Sequence, residues 1–269
     1  MKSTEVQERQ QGRKMDPLAA QHNHRTIRQF TDEPIDKMQI EEIKAVADRT
    51  ASSMGLQMAS VLRITDKSIR TVFGEVTGQP YVADAPELWV FVADLHRNAT
   101  IVEQKTGKKP VIGMGKFMSA YADALLMAQN VINAVEALGL GGAFIGSIAN
   151  DLSRIQQALH LPDGTYAAIA VIFGHPDQMP QQKPRMPKNM RFFENTYPTD
   201  DAHLGELDAY DEQMQAYTDL RHPEKTLPSF TDQAIRSLSG AEDGRDALLS
   251  FLSCSGFQVR LEDDEFSKA

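Results

Sequence analysis

The chain has 269 residues, 41% hydrophobic and 24% charged, which is typical of a soluble globular protein with a sizeable core. Lys and Arg total 28 against 37 Asp and Glu, a net charge of −9, so a general binder of nucleic acids or membrane surfaces is disfavoured. The single cysteine excludes a disulfide framework and a cysteine-rich zinc site. The chain carries no apolar segment typical of a signal peptide or membrane span, so we expect a cytoplasmic protein.

The first predicted elements follow a polar start. Residues 1–20 are Gln-rich, and their pattern leaves open whether they form a short helix or a frayed arm. Asp36 is a good N-cap, and the apolar spacing after it predicts a helix over about 36–50. Strands are predicted over 60–65 and 87–94, and the second is apolar enough to be buried on both faces.

The most periodic stretch of the chain is 117–140, where apolar residues recur every three or four positions. It predicts a long helix at the centre of the fold, ended by a glycine-rich run and followed by a short strand over 143–146. A helix capped by Asn150 or Asp151 comes next. The remaining predicted elements are a buried strand over 166–174 and helices over about 201–220, 230–238 and 245–253.

The organisation of the chain shows neither an internal repeat nor a break in composition between two cores. The stretch from 175 to 198 is too proline-dense for regular structure. We therefore predict one α+β domain over 21–260, preceded by the polar arm of residues 1–20 and followed by an acidic tail over 261–269.

Two clusters of cationic residues stand out in this acidic chain. His24-Arg25-Thr26-Ile27-Arg28 contains two guanidinium groups, an imidazole and a hydroxyl, and Arg is favoured where phosphate oxygens need bidentate recognition. Pairing of these arginines with Asp32 and Glu33 is the alternative. Lys183 and Arg185 form the second cluster. The two clusters would form an anion site if they converge, whereas each alone is compatible with a solvated surface.

Other candidates are uncharged. Ser52 and Ser53 could donate hydroxyl hydrogen bonds to a ligand or simply cap a helix end. Gln79 could contact a heteroaromatic edge or be an exposed turn residue. The glycine-rich stretch 139–146 could let the backbone approach a flat ligand, or could only end a helix.

Several established motifs are absent from the sequence. It contains no GxGxxG fingerprint in a suitable context, no GxxxxGK[ST], no HExxH and no GxSxG. The histidines show no convincing ligand spacing, so we expect no metal site.

Short motifs in a fixed order give a more specific indication. They are His24 to Thr31 (HRTIRQFT), Glu33 to Ile35, Leu62 to Asp66 (LRITD), Thr77 to Gln79, Ala128 to Asn130, Glu136 to Gly142 (EALGLGG), Ile145-Gly146, Lys183 to Pro187 (KPRMP), Glu194-Asn195 and Tyr210 to Gln213 (YDEQ). In this order and at this spacing, about residues 22–260 resemble the oxygen-insensitive NADPH nitroreductases and NADPH:FMN oxidoreductases of the nitro/flavin reductase superfamily.

The resemblance implies an α+β fold with a central mixed β-sheet surrounded by helices. It also implies an interlocked homodimer with two FMN sites at the subunit boundary, in which the helix over 117–140 is a core element. The implied cofactor contacts are His24, Arg25, Thr26 and Arg28 for the phosphate and pyrimidine end, Ser52 and Gln79 for the ring, Phe144, Ile145, Gly146 and Ser147 near flavin N5, and Lys183 and Arg185 as a second phosphate contact.

The activity implied by the resemblance is ping-pong hydride transfer from NADPH through flavin N5 to a nitroaromatic, a quinone or free flavin. No side-chain acid or base is required for the hydride step, so no catalytic side chain is assigned. A carrier or sensor of the same fold that binds flavin without turnover is the alternative.

Substrate contacts are implied less directly. Ser53 and Met54 lie where relatives contact the acceptor, and Met54-Gly55 stands where members of the family often carry a serine and a phenylalanine. Arg221 and Lys225 fall in the segment that binds the NADPH 2′-phosphate, and Arg245 aligns with a substrate-side arginine across a gap.

Overall fold

A computed structural model describes residues 15–239 and 247–260. Within these residues the chain forms two compact units, one made of 15–178 with 247–260 and the other of 179–239. The single-domain organisation and its boundaries stay a prediction. The predicted acidic tail over 261–269, and most of the predicted arm, lie outside the described residues.

A four-stranded sheet forms the centre of the first unit. Its strands are β1 (Ala59–Arg63), β2 (Glu87–Asp94), β3 (Gly141–Ile145) and β4 (Thr165–Gly174), in the spatial order β1-β2-β4-β3. All three neighbouring pairs are antiparallel. A mixed sheet, as predicted, also contains parallel pairing. Among the described residues, the parallel pairing at this sheet is one isolated bridge, between Thr26 and Gly142 of β3.

The sheet separates two apolar layers because side chains alternate along a strand. Trp89 and Phe91 of β2 pack on one face, in a cluster with residues of two helices, α2 (Lys37–Asp48) and α6 (Met114–Ala137). Val90 and its alternate neighbours pack on the other face, against three shorter helices. These are α3 (Lys67–Thr77), α4 (Pro80–Asp84) and α7 (Leu152–Ala158).

Three further helices belong to the first unit. They are α1 (Pro17–His22), α5 (His96–Thr106) and α10 (Leu248–Cys254). Leu252 and Phe257 from the C-terminal segment pack in a third apolar cluster with Phe117 of α6 and Tyr166 of β4. The Ser255 carbonyl accepts a backbone hydrogen bond from Gly164 at 2.8 Å. The C-terminal segment is therefore part of this core.

Carboxylates cap several helices of this unit. Asp36 accepts a hydrogen bond from Met38 N at 2.7 Å at the start of α2. Asp66 accepts from Ser68 N at 2.8 Å and Ile69 N at 3.2 Å at the start of α3. The Ser68 hydroxyl, which also donates to Asp66, and these backbone N–H groups lower the pKa of the Asp66 carboxyl below its ordinary value.

Arg70 ties α3 to the segment before β2. Its guanidinium donates to the carbonyls of Ile64, Ala83, Ala85 and Pro86. Burial lowers the pKa of Arg70, because removal from water disfavours the charged form. The four carbonyl acceptors offset this cost.

The regular secondary structure of the second unit is helical, and loops make up more than half of its described residues. It contains α8 (Leu207–Ala216), α9 (Phe230–Leu238) and two short 3-10 helices, Lys188–Met190 and Asp201–Leu204. The Asp211 carboxylate accepts a hydrogen bond from Thr231 N at 2.9 Å and so joins the two α-helices. The Thr231 hydroxyl is the main cause of the lowered pKa of Asp211.

The predicted elements are largely present. Strand 87–94 and helix 230–238 have the predicted bounds, and the long central helix lies at 114–137 rather than 117–140. The prediction of a single helix over 201–220 was wrong, because a short 3-10 helix ends before Gly205 and α8 begins after it. Among the described helices, none is long and apolar enough to span a membrane.

Candidate flavin site

The segment 24–28 lies against the start of β3. Ile27 N donates to the Gly142 carbonyl at 2.9 Å, next to the bridge between Thr26 and Gly142. A Cβ at Gly141 would lie 2.6 Å from Ile27 Cγ1, and one at Gly142 would lie 2.8 Å from the Ile172 carbonyl oxygen. These two glycines therefore allow a protein segment, rather than a ligand, to approach β3 closely.

His24 is fixed by a carboxylate of α6. Its Nδ1 lies 2.5 Å from Oε1 of Glu136, whose side chain is 10% exposed. This contact uses one ring nitrogen and leaves Nε2 for another partner. Glu136 was predicted only as part of a motif. An acid among the apolar residues of the last turns of α6 is the signal that could have indicated its role.

Arg25 and Arg28 have different surroundings. Arg25 Nη1 donates to the Asn23 carbonyl at 2.9 Å. Arg28 is half-buried and forms no ion pair with Asp32 or Glu33. The alternative of local pairing is therefore wrong for Arg28.

Arg28 lines a cavity of about 710 Å³. The described lining of this cavity contains five carboxylates and two guanidinium groups, so its interior does not suit a phosphate. Any phosphate bound by Arg28 must lie outside it.

Gln79 and Ser147 come together beyond the other end of β3. Gln79 Nε2 donates to Ser147 Oγ at 2.9 Å, and the Tyr81 hydroxyl donates to Gln79 Oε1. A Cβ added at Gly146 would meet nothing within 4 Å, so the backbone there is open to a ligand. Phe144 and Ile145 pack their side chains into the two apolar layers of the sheet and can offer a ligand only their backbone.

Ser52, Ser53 and Met54 begin the loop of residues 52–58, called the acceptor loop below, between α2 and β1. The side chain of Met54 is 66% exposed. Asp123 of α6 holds this loop, because its carboxylate accepts hydrogen bonds from Ser53 N at 2.8 Å and from Met58 N at 3.2 Å. Asp123 was not predicted as a site residue.

The acceptor loop forms one wall of a cavity of about 760 Å³. Apolar side chains dominate the remainder of the wall, together with Lys116 of α6. The apolar lining residues include Leu95, Ile101, Val102, Pro110, Val111, Ile112 and Met127.

The predicted cationic residues of the second unit are exposed. Arg185 Nη1 donates to the Lys183 carbonyl at 2.9 Å, and the Lys225 side chain reaches solvent. Arg221 pairs with the buried Asp219, with Nη2 2.5 Å from Oδ2. Arg245 lies outside the described residues. The convergence of Lys183 with Arg28 stays a prediction.

The donor set of the first unit fits a phosphorylated flavin. Cations and a hydroxyl lie where segment 24–28 meets the start of β3, which suits a phosphate. Past the end of β3, an amide, a hydroxyl and an open glycine backbone suit a flat heteroaromatic ring. Among the described residues, no group of three or more His, Cys, Asp or Glu side chains could hold a metal ion.

Comparison with known proteins gives the same family for both parts of the chain. Residues 22–175 match the model of the nitroreductase family, and residues 183–260 match the model of the nitroreductase family C-terminal domain. Together these matches cover most of the described chain.

Individual relatives are similar over nearly their whole length. The chain is 36% identical to an oxygen-insensitive NADPH nitroreductase of Salmonella typhimurium over 88% of this chain and 96% of that protein. It is 34% identical to the NADPH-flavin oxidoreductase of Vibrio harveyi, again over 88% and 96%. A solved structure of the V. harveyi NADPH:FMN oxidoreductase, complexed with NAD⁺, superposes with a TM-score of 0.80 at 31% identity, covering 91% of this chain and 99% of that one. From the two matched models and these full-length similarities, we conclude that the chain belongs to the nitroreductase family.

Proposed function

We propose that this protein is an FMN-dependent NADPH oxidoreductase that works by a ping-pong mechanism on nitroaromatics, quinones or free flavin. The relatives named above are an NADPH nitroreductase and NADPH-flavin oxidoreductases, which supports an NADPH-dependent oxidoreductase that uses FMN. The observation that carries the proposal is the pairing of segment 24–28 with β3, because it places His24 and two arginines at one end of a strand. The Gln79–Ser147 pair lies beyond the other end.

The chain's own residues have distinct parts in this proposal. His24, Arg25, Thr26 and Arg28 bind the phosphate and pyrimidine end, with His24 oriented by Glu136. Ser52 and Gln79 contact the ring, while the open backbone at Gly146 permits close approach to it. When bound, FMN supplies the two-electron hydride chemistry. The protein provides binding, orientation and charge, and no side chain is assigned as a general acid or base.

The second unit supplies the remaining proposed contacts. Lys183 and Arg185 are proposed as the second phosphate contact, and Arg221 and Lys225 as the contact to the 2′-phosphate of NADPH. The Asp219 carboxylate already offsets part of the Arg221 charge, so we expect only a moderate preference for NADPH over NADH.

A homodimer is part of the proposal, because α6 exposes an apolar stripe. Met118, Ala122 and Leu126 recur every fourth residue and are exposed, Met118 by 58% and Leu126 by 54%. Exposed apolar stripes of this kind mark protein interfaces. A second copy of this chain is the partner we propose for it.

The decisive experiment records the visible absorbance of the purified protein and then its oxidation of NADPH and NADH with a panel of acceptors. We expect a yellow protein that oxidises NADPH faster than NADH with 1,4-benzoquinone or a nitrofuran as acceptor. Parallel lines in double-reciprocal plots would support the ping-pong order. Bound FMN without turnover would favour a carrier or sensor, and a colourless protein that cannot be reconstituted with FMN would contradict both functions.

A further inference from the structure

We propose that Asp123 is a positioning residue that fixes the acceptor loop and thereby sets how the electron acceptor is held. The inference rests on the proposed function, in which Ser52 contacts the ring, and on the acceptor contacts that the family resemblance implies for Ser53 and Met54. Asp123 lies in the middle of α6 and lines the 760 Å³ cavity, where both of its carboxylate oxygens accept hydrogen bonds from the loop.

Both oxygens of the Asp123 carboxylate accept a hydrogen bond from the loop. Oδ1 accepts from Ser53 N at 2.8 Å and Oδ2 accepts from Met58 N at 3.2 Å. The residue is only 3% exposed, and no cationic side chain of the described residues forms a salt bridge with it. Two backbone amides therefore stabilise a buried charge, and losing either of them would leave an oxygen unsatisfied.

The backbone of the loop needs such support. Met54, Gly55 and Gln57 all have positive φ, at 53°, 67° and 50°. Two of the three are not glycine, and this conformation costs each of them free energy that the surroundings must supply. Gly55 has no Cβ and adopts its positive φ without this cost, so the cost falls on Met54 and Gln57.

Hydrogen bonds hold the loop on both sides. Asn98 Nδ2 donates to the Leu56 carbonyl at 3.0 Å, and the Arg97 guanidinium donates to the Gln57 carbonyl. These contacts come from α5 and act on the middle of the loop, whereas Asp123 holds positions 53 and 58. Asp123 thus joins the two ends of the loop, together with a longer hydrogen bond from Gln57 N to Ser52 Oγ at 3.4 Å.

The loop shapes the space available to a ligand. It contributes Gly55 and Leu56 to the wall of the 760 Å³ cavity, and Lys116 Nζ lies 3.9 Å from Met54 Sδ. A shift of the loop would move the exposed Met54 side chain and this wall together. We therefore expect Asp123 to govern acceptor affinity more than the rate of turnover at saturation.

The first test replaces the carboxylate by an amide. In Asp123→Asn, one loop N–H faces an NH₂ group, so amide hydrogen exchange in the peptide covering 52–58 should accelerate about tenfold or more. The KM for 1,4-benzoquinone should rise about tenfold, with kcat, expressed per bound FMN, changed less than about twofold. The exchange readout does not depend on FMN.

The matched control is Asp66→Asn. Asp66 also accepts two backbone N–H groups, at the same 2.8 and 3.2 Å, but at the start of α3. The Asp66→Asn variant should change neither the rate of amide hydrogen exchange over 52–58 nor the KM for 1,4-benzoquinone. An equal KM rise in Asp66→Asn would overturn the inference.

A second pair of variants keeps the test valid if Asp123→Asn fails to fold. Ser53 is the first residue of a 3-10 helix, and Ser52 before it is extended (φ −130°, ψ 146°), so proline is tolerated at position 53. Ser53→Pro and Ser53→Ala both remove the hydroxyl, but only Ser53→Pro removes the N–H that binds Asp123. The KM for 1,4-benzoquinone should rise in Ser53→Pro relative to Ser53→Ala.

The possible outcomes separate the inference from the proposed function. Faster exchange without a higher KM, or equal KM values for Ser53→Pro and Ser53→Ala, would overturn the positioning role while the oxidoreductase function stands. Failure of the unmodified protein to bind FMN and oxidise NADPH would overturn both. A KM rise confined to Asp123→Asn and Ser53→Pro would support both.

Discussion

At the residue scale, Arg28 is a half-buried guanidinium for which the described residues provide no hydrogen bond or ion pair. Such a group is suited to an external anion, since Arg binds phosphate oxygens in a bidentate manner. The acidic lining of the neighbouring cavity disfavours phosphate inside it, so a phosphate bound by Arg28 would lie outside that cavity. This argument favours Arg28 as an FMN contact.

We expect Arg28→Ala to weaken FMN binding by about 1.5–3 kcal/mol, the contribution of hydrogen bonds to a charged group. The measurement is a titration of apoprotein with FMN followed by flavin fluorescence. Arg154→Ala is the control, because Arg154 is an exposed arginine that forms an ion pair with Glu75 and has no assigned cofactor contact. The same affinity for FMN in both variants would remove Arg28 from the site.

The second prediction at this scale concerns Gly141. We expect Gly141→Ala to reduce FMN retention, because its Cβ would lie 2.6 Å from Ile27 Cγ1 and push segment 24–28 away from β3. FMN content after gel filtration measures the effect. Gly115→Ala, where a Cβ meets nothing within 4 Å, should retain the cofactor fully. Full retention in Gly141→Ala would indicate that the segment tolerates displacement.

At the scale of the elements, α3 depends on Arg70 for its attachment to the sheet. We expect Arg70→Met to lower the free energy of unfolding by about 3 kcal/mol, since four carbonyls lose a charged donor. Urea unfolding followed by the fluorescence of Trp89 would measure it. Lys67→Met, an exposed change on the same helix, should cost no more than about 0.5 kcal/mol. A similar loss in both variants would contradict the role of Arg70.

The accuracy with which the sequence predicts an element differs from one element to the next. β2 was predicted with the correct bounds because seven of its eight residues are buried, so its apolar run has no polar interruption. α5 was missed because none of its residues is buried, and a helix without a buried face has no apolar period.

The candidate site was predicted unevenly for a different reason. Segment 24–28 and Gln79 have side chains whose chemistry is visible in the sequence. Asp123 serves the site through backbone amides, one of which is 70 positions away in the chain. Backbone amides leave no residue-specific signal, so only the folded structure reveals which carboxylate they reach.

At the scale of the whole molecule, the stripe of Met118, Ala122 and Leu126 on α6 predicts self-association. We expect Leu126→Glu to shift the protein toward monomer, because a charge would be buried without a partner in an apolar interface. Sedimentation velocity measures the shift. Leu238→Glu, at an exposed leucine of the second unit, should leave the association state unchanged. An unmodified protein that sediments as a monomer would contradict the dimer.

The C-terminal contribution to the first core has a consequence for biosynthesis. Phe117 and Tyr166 are covered by Leu252 and Phe257, which the ribosome adds about 85 residues or more after Tyr166. Until those residues emerge, the two aromatic rings lack part of their cover, and the core of the first unit is incomplete. Premature termination before residue 247 should therefore yield aggregated polypeptide rather than a shortened, working protein.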